Sequence, residues 1–117
     1  MKHLIIRDII QTDLAVSTEN GNKVFEIVDG YLQQREKIEL DFAGITIMIT
    51  AFLNAAIGSL YSKKEYTGEF LNEYLKLENV EKDDQKLFKD VIKRAKEYFA
   101  DKDNFEKNSN DAIYGRD

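Results

Sequence analysis

The most informative pattern of hydrophobic and polar positions lies between residues 38 and 62. Apolar and acidic residues alternate from Ile38 to Phe42, which is the period of a β-strand. A loop and a short apolar segment follow. From Thr50 onwards apolar residues recur at spacings of three and four, which predicts a largely buried helix over residues 50–62. The Thr50 hydroxyl is expected to cap the first turn of this helix.

The patterns along the rest of the chain predict further strands and helices. The predicted strands cover residues 3–10, 14–17 and 74–80, and the predicted helices cover residues 21–35 and 82–100. The pattern over residues 69–73 is ambiguous, and a short helix is one interpretation of it. The first two strands are interpreted as a hairpin. The strand–helix–strand order beyond them favours a right-handed parallel crossover. Gly30 is expected to let its helix approach the sheet closely.

Together these elements predict a single α/β domain. We expect about four strands in a mixed sheet, with the helices over residues 21–35, 50–62 and 82–100 packed on it. A chain of 117 residues suits one domain. The composition becomes polar after residue 100, so residues 1–100 are expected to form the domain and residues 101–117 a polar tail.

Composition narrows the classes of partner. The formal net charge is −5, which argues against nucleic acid and anionic membranes, because both attract patches of Lys and Arg. The chain has no cysteine, so disulfides and thiolate metal sites are ruled out. No secretory signal is visible, and no apolar run approaches the roughly 20 residues of a membrane helix. We therefore expect a cytoplasmic protein.

Residues suited to catalysis are sparse. His3 is the only histidine, and no glycine-rich phosphate loop occurs. Asp41 lies near the carboxyl end of a predicted strand, where open α/β sheets place ligands. An aspartate before a loop more often accepts hydrogen bonds from the backbone of that loop, and we favour this interpretation. We expect no enzyme activity, no metal and no cofactor; a metal enzyme built on Asp41 is the least favoured hypothesis.

The central segment resembles the core of STAS domains (sulphate transporter and anti-sigma-factor antagonist). It is more closely similar to the small bacterial STAS-like family of unknown function, which also suggests a bacterial or phage source. The resemblance extends over about residues 14–99, and the residues that carry it are Asp41, Phe42, Gly44, Thr50 and Phe52. It implies an α/β domain of the STAS type.

The resemblance also implies a regulatory module that binds a signalling protein, sometimes a histidine-kinase-like ATPase, through a loop and the start of the second helix. In this chain the corresponding partner-binding residues are Gly44, Thr46, Thr50, Ala51 and Asn54.

STAS regulators of the anti-sigma-antagonist type carry a phosphorylatable serine after an aspartate at this helix start. Alignment on the loop places Ile49 over the aspartate and Ala51 over the usual acceptor. Only Thr50 keeps a hydroxyl, so Thr50 is the candidate phosphorylation site, with helix capping as its favoured role.

Two further hypotheses stay open at this point. The net charge and the polar tail are also compatible with an acidic inhibitor or decoy that occupies a basic site on a nucleic-acid-handling protein. In addition, the isoleucine-rich first strand has an edge that could pair with a second copy in a homodimer.

Overall fold

The computed structural model describes the backbone of residues 1–112 and the side chains of residues 1–99. Its elements, in chain order, are β1 (Lys2–Ile5), α1 (Ile6–Ile10), β2 (Leu14–Ala15), α2 (Thr18–Gln33), β3 (Ile38–Asp41), β4 (Ile47–Met48), α3 (Thr50–Ala56), a 3-10 helix (Gly58–Ser62), α4 (Gly68–Tyr74), β5 (Leu75–Glu78) and α5 (Lys82–Ala112).

The strands of residues 1–112 form two separate parallel sheets. One has three strands in the order β1-β3-β5, and the other consists of β2 and β4. The predicted α/β class is confirmed, whereas the predicted mixed sheet of about four strands is wrong. The predicted hairpin is also wrong, because the first strand pairs with β3 and the second with β4. At least one helix separates paired strands along the chain, which is the connection that parallel pairing requires.

The first strand ends earlier than the sequence predicts. β1 stops at Ile5, and the next residues form α1. Ile6 and Ile10 are both buried, and their spacing of four places them on the same side of a helix. Gln11 ends the helix in a left-handed conformation with φ 58°. Isoleucine favours strands in general, but the period of burial decides the structure here.

The second and third helices also have bounds that differ from the prediction. α2 begins at Thr18 because Ser17 caps it, and Ser17 Oγ accepts a hydrogen bond from the Asn20 N–H at 3.0 Å. The helix predicted over residues 50–62 is divided into α3 and the following 3-10 helix.

The carboxyl-terminal third is closer to the prediction. β5 lies within the predicted strand over residues 74–80, and α4 shows that the ambiguous segment before it is a helix. α5 begins as predicted and continues to Ala112, beyond the predicted end at residue 100. The division into a domain and a tail at that residue stays a prediction, and residues 113–117 lie outside the described residues.

The core lies between the sheets and the helices, and α2 and α3 pack extensively against each other. Gly21 makes this approach possible. A Cβ at Gly21 would lie 2.5 Å from the backbone oxygen of Phe52 and 2.7 Å from the Cβ of Ala55. At Gly30 a Cβ would meet no described atom within 4 Å, so the predicted close approach there is wrong.

Candidate functional site

The small sheet of β2 and β4 exposes a row of apolar side chains. Its register pairs Leu14 with Ile47 and Ala15 with Met48. Ala15 and Met48 point into the core and are 0% and 8% exposed, whereas Leu14 and Ile47 are 40% and 52% exposed. Side chains alternate between the faces of a strand, so the outward positions form one continuous side of this sheet.

The next outward position on each strand is also apolar. Val16 and Ile49, which directly follow β2 and β4, are 36% and 43% exposed. The backbone pairing continues to this point, because the Ile49 N–H donates to the Ala15 carbonyl at 3.1 Å. We call these four outward side chains the β2–β4 face; they are Leu14, Val16, Ile47 and Ile49. Clustered exposed apolar residues of this kind mark interaction sites, whereas single ones need no explanation.

A polar contact fixes the amino-terminal end of this small sheet. The Thr46 N–H donates to the Asp13 carbonyl at 2.9 Å, and Thr46 Oγ1 donates to Asp13 Oδ2 at 2.9 Å. Since Asp13 precedes Leu14 and Thr46 precedes Ile47, this contact sets the register of the two strands. The β2–β4 face is therefore held in place by the backbone pairing, by the inward side chains and by this contact.

The structure places most of the predicted partner-binding residues beside the face, at one end of β4 or the other. Thr46 precedes Ile47, and Thr50 and Ala51 follow Ile49. Asn54 is exposed one turn further along α3 and lines a shallow depression that also includes Ala51. These four predicted residues therefore adjoin the β2–β4 face or continue from it along α3.

Gly44 lies in a different environment. It adopts φ 83°, which favours glycine, and the side chain of Arg7 packs against it. Gly44 lines a separate depression together with Asn79 and Gln85, at the carboxyl ends of β3 and β5. Its position is therefore explained by the turn after β3, and the structure does not group it with Asn54.

Thr50 does not cap α3. The N-cap is Ile49, whose backbone is extended (φ −126°, ψ 166°), and Thr50 is the first residue of the helix. The capping prediction is wrong because β4 runs directly into α3 and leaves Thr50 one position too late. Thr50 is partly exposed, and its hydroxyl has no hydrogen bond among the described residues. Its phosphorylation stays a prediction.

Asp41 bonds to its own loop, which confirms the favoured interpretation. The Ala43 N–H donates to Asp41 Oδ1 at 2.9 Å, and Asn79 Nδ2 donates to the same oxygen at 2.8 Å. His3 Nε2 lies 2.9 Å from Asp41 Oδ2. The hydrogen bonds from Asn79 and from the backbone of Ala43 hold the pKa of Asp41 below its usual value. The carboxylate thus ties together the three strands of the larger sheet.

Two other kinds of feature do not occur in the part of the chain that the structure describes. Across the described residues, no three His, Cys, Asp or Glu side chains come together as a candidate metal site. Within the same residues, no helix combines the length and the apolar character that crossing a membrane requires.

The sequence interpretation missed the four residues of the β2–β4 face. Residues 45–49 indicated only an apolar crossing segment, and residues 14–17 only a strand. Apolar residues occupy both the inward and the outward positions of these strands, so the usual alternation with polar residues is missing. The sequence did contain one signal for the face: both strands are very short and carry apolar residues at successive positions.

Comparison with protein families supports the resemblance noted in the central segment. Residues 20–85 match the model of the STAS-like domain of unknown function (DUF4325), and this range includes Ile47 and Ile49 but not Leu14 and Val16. Comparisons with curated proteins and with solved structures returned no match. Since the matched range covers more than half of the 117 residues, the chain belongs to the STAS-like domain family of unknown function.

Proposed function

We propose that this chain is a regulatory protein-interaction module that binds a signalling partner through the β2–β4 face and the adjoining start of α3. The observation that carries the proposal is the exposure of four large apolar side chains, between 36% and 52% each, on two paired strands. A water-exposed apolar cluster has a free-energy cost that the binding of a partner removes.

The size of the cluster is compatible with the centre of an interface. Its four side chains expose roughly 300 Å² of surface, the scale at which a patch on a monomer is often functional. Burial of this area corresponds to about 7 kcal/mol of gross hydrophobic free energy. Much of this gain offsets the entropy lost on association, so the neighbouring polar residues also have to contribute.

Resemblance to STAS regulators suggests the class of partner. A histidine-kinase-like ATPase is the partner that the resemblance implies, and Thr50 would then be the residue at which phosphorylation controls binding. A phosphate on Thr50 would place nearly two negative charges beside Ile49, at the border of an apolar surface. We expect this change to weaken an apolar interface.

Site-specific photo-crosslinking in the source cell tests the proposed function. A photoreactive residue at position 47 should crosslink one predominant protein, identified by mass spectrometry. A photoreactive residue at position 27 provides the matched control, because Ile27 on α2 is also exposed, at 37%. Equal products from both positions, or none from position 47, would count against an interaction module centred on this face.

A substitution at the start of α3 tests the same surface independently. Ala51 is exposed, so Ala51→Arg should leave the fold intact while its long charged side chain obstructs a partner. The crosslink from position 47 should disappear in this variant, with an unchanged circular dichroism spectrum. In contrast, the acidic-decoy alternative predicts contacts spread over acidic residues, and therefore a crosslink that Ala51→Arg leaves unaffected.

A further inference from the structure

The charges around the β2–β4 face are not evenly distributed. No charged residue occurs between Ala43 and Ser62, the segment that contributes Ile47, Ile49 and the whole of α3. Next to β2, Asp8 in α1 and Asp13 just before the strand line one depression, together with Arg7. The charges closest to the face along the chain are therefore those on the elements that flank β2.

The carboxyl-terminal end of β2 also leads to an acidic residue. Glu19, three residues after Val16, is exposed in the first turn of α2. Two cations belong to the same elements. The Arg7 side chain packs against the turn at Gly44, and Lys23 lies one helical turn beyond Glu19. Among these residues around β2 in the sequence, three carboxylates thus stand against two cations, in a chain whose net charge is −5.

We propose that the occupant of the β2–β4 face is an amphipathic segment of a protein partner, with an apolar row flanked by Lys or Arg. This inference rests on the proposed function and specifies the chemistry of the partner. The apolar row would cover the β2–β4 face, while its basic side chains would pair with Asp13 and Glu19. Charges of this kind at the border of an interface increase association rates and select between partners.

A second copy of the chain is disfavoured as the occupant. In a symmetric dimer the same surface supplies both sides of the interface, so the carboxylates of Asp8, Asp13 and Glu19 from both copies would border one contact. Two chains of charge −5 also repel each other before contact. The bordering carboxylates and the negative net charge disfavour a second copy, but both attract a basic amphipathic segment.

A displayed library of random 16-residue peptides tests the inference without any assumption about the natural partner. The intact chain serves as the bait, and Ile47→Ser serves for counter-selection. We expect the enriched peptides to combine an apolar row with Lys or Arg. For the best peptide, made synthetically, Ile47→Ser should weaken binding about tenfold, which is about 1.4 kcal/mol. Ile27→Ser, the matched change at an exposed isoleucine outside the face, should leave binding unchanged.

Substitutions of the bordering carboxylates test the electrostatic part. Asp13→Asn and Glu19→Gln should each weaken the peptide by about threefold or more and reduce the salt dependence of binding. In Asp13→Asn the new side-chain amide keeps an oxygen that can accept the Thr46 hydrogen bond, so the small sheet is preserved. Glu26→Gln, at an exposed position on α2, is the matched control and should have no effect.

Several results would overturn the inference. Enriched peptides that are neutral or acidic, an absence of enrichment, or equal losses for Ile47→Ser and Ile27→Ser would each do so. Sedimentation that shows a dimer abolished by Ile47→Ser would identify a second copy as the occupant. If the crosslink from position 47 persists while the peptides show no basic preference, this inference fails and the proposed function stands; if the crosslink is absent, the proposed function itself fails.

Discussion

Two glycines in α2 should respond in opposite ways to the same substitution. Gly30→Ala should stabilise the protein by about 1 kcal/mol, the usual advantage of alanine over glycine inside a helix. At this position a Cβ meets no described atom within 4 Å, and the backbone does not adopt a positive φ. Nothing in the described structure therefore offsets the gain in helix propensity.

Gly21→Ala should reverse the sign. The new Cβ would lie 2.5 Å from the Phe52 carbonyl oxygen, a backbone atom, and 2.7 Å from the Cβ of Ala55. Normal contact between such atoms requires about 1 Å more, so α2 and α3 have to separate. Overpacking a core typically costs about 1–3 kcal/mol, and a rigid backbone neighbour favours the upper end of that range. After the propensity gain is subtracted, we expect a net destabilisation of about 1–2 kcal/mol or more.

Urea unfolding followed by circular dichroism measures both changes under the same conditions. The two variants should differ by about 2–3 kcal/mol, which for a domain of this size corresponds to roughly 10 °C or more in Tm. Each variant acts as the control for the other, because the substitution and the helix are identical. A Gly21→Ala variant as stable as Gly30→Ala would refute the close packing of α2 on α3.

Three further predictions concern other parts of the structure. Asp41→Ala should lower the free energy of unfolding by about 2–3 kcal/mol at pH 7, because it leaves hydrogen-bond donors without their acceptor. Since the pKa of Asp41 is lowered in the folded state, its stabilising contribution is complete above about pH 4 and is lost as the pH falls through the folded-state pKa. Urea unfolding of the wild type and of the variant should therefore converge in acid. Tyr66→Phe should cost about 1–2 kcal/mol, because the buried hydroxyl donates to Asp29 Oδ1 at 2.6 Å, and a loss no larger than that of Tyr98→Phe, an exposed tyrosine, would contradict this. Ile47→Ser should cost about 1 kcal/mol, because the Ile47 side chain is half exposed, whereas Met48→Ala should cost about 2 kcal/mol or more. Thermal unfolding in which Ile47→Ser is the more destabilising change would contradict the assigned orientation of β4.

Several parts of the fold could be predicted because one physical signal dominates locally. The alternation from Ile38 to Asp41 identifies β3, whose apolar residues Ile38 and Leu40 are buried. The interpretation of Asp41 was correct for a related reason, since an aspartate before a loop has backbone donors within reach. Local sequence is sufficient where the partner of a residue lies only a few positions away.

The errors arise where distant contacts decide the structure. β1 and α1 share an isoleucine-rich sequence, and only the burial of Ile6 and Ile10 separates the helix from the strand. The pairing of β2 with β4 joins residues 33 positions apart, as between Asp13 and Thr46, and a hairpin interpretation considers only neighbours. The candidate site depends on this long-range pairing, so the sequence could predict the start of α3 but not the apolar face beside it.

The packing of α2 on α3 links the stability of the fold to the candidate site. α2 begins just after β2, α3 begins just after β4, and Gly21 allows the two helices to approach closely. The buried side chains of Phe52 and Leu53 then fix α3, and with it the orientation of Ile49 at the border of the face. A face held in this way is already formed before a partner arrives, so little conformational entropy is lost on binding. Gly21→Ala, which forces the helices apart, should therefore weaken binding at the β2–β4 face in addition to lowering stability, whereas Gly30→Ala should change stability alone.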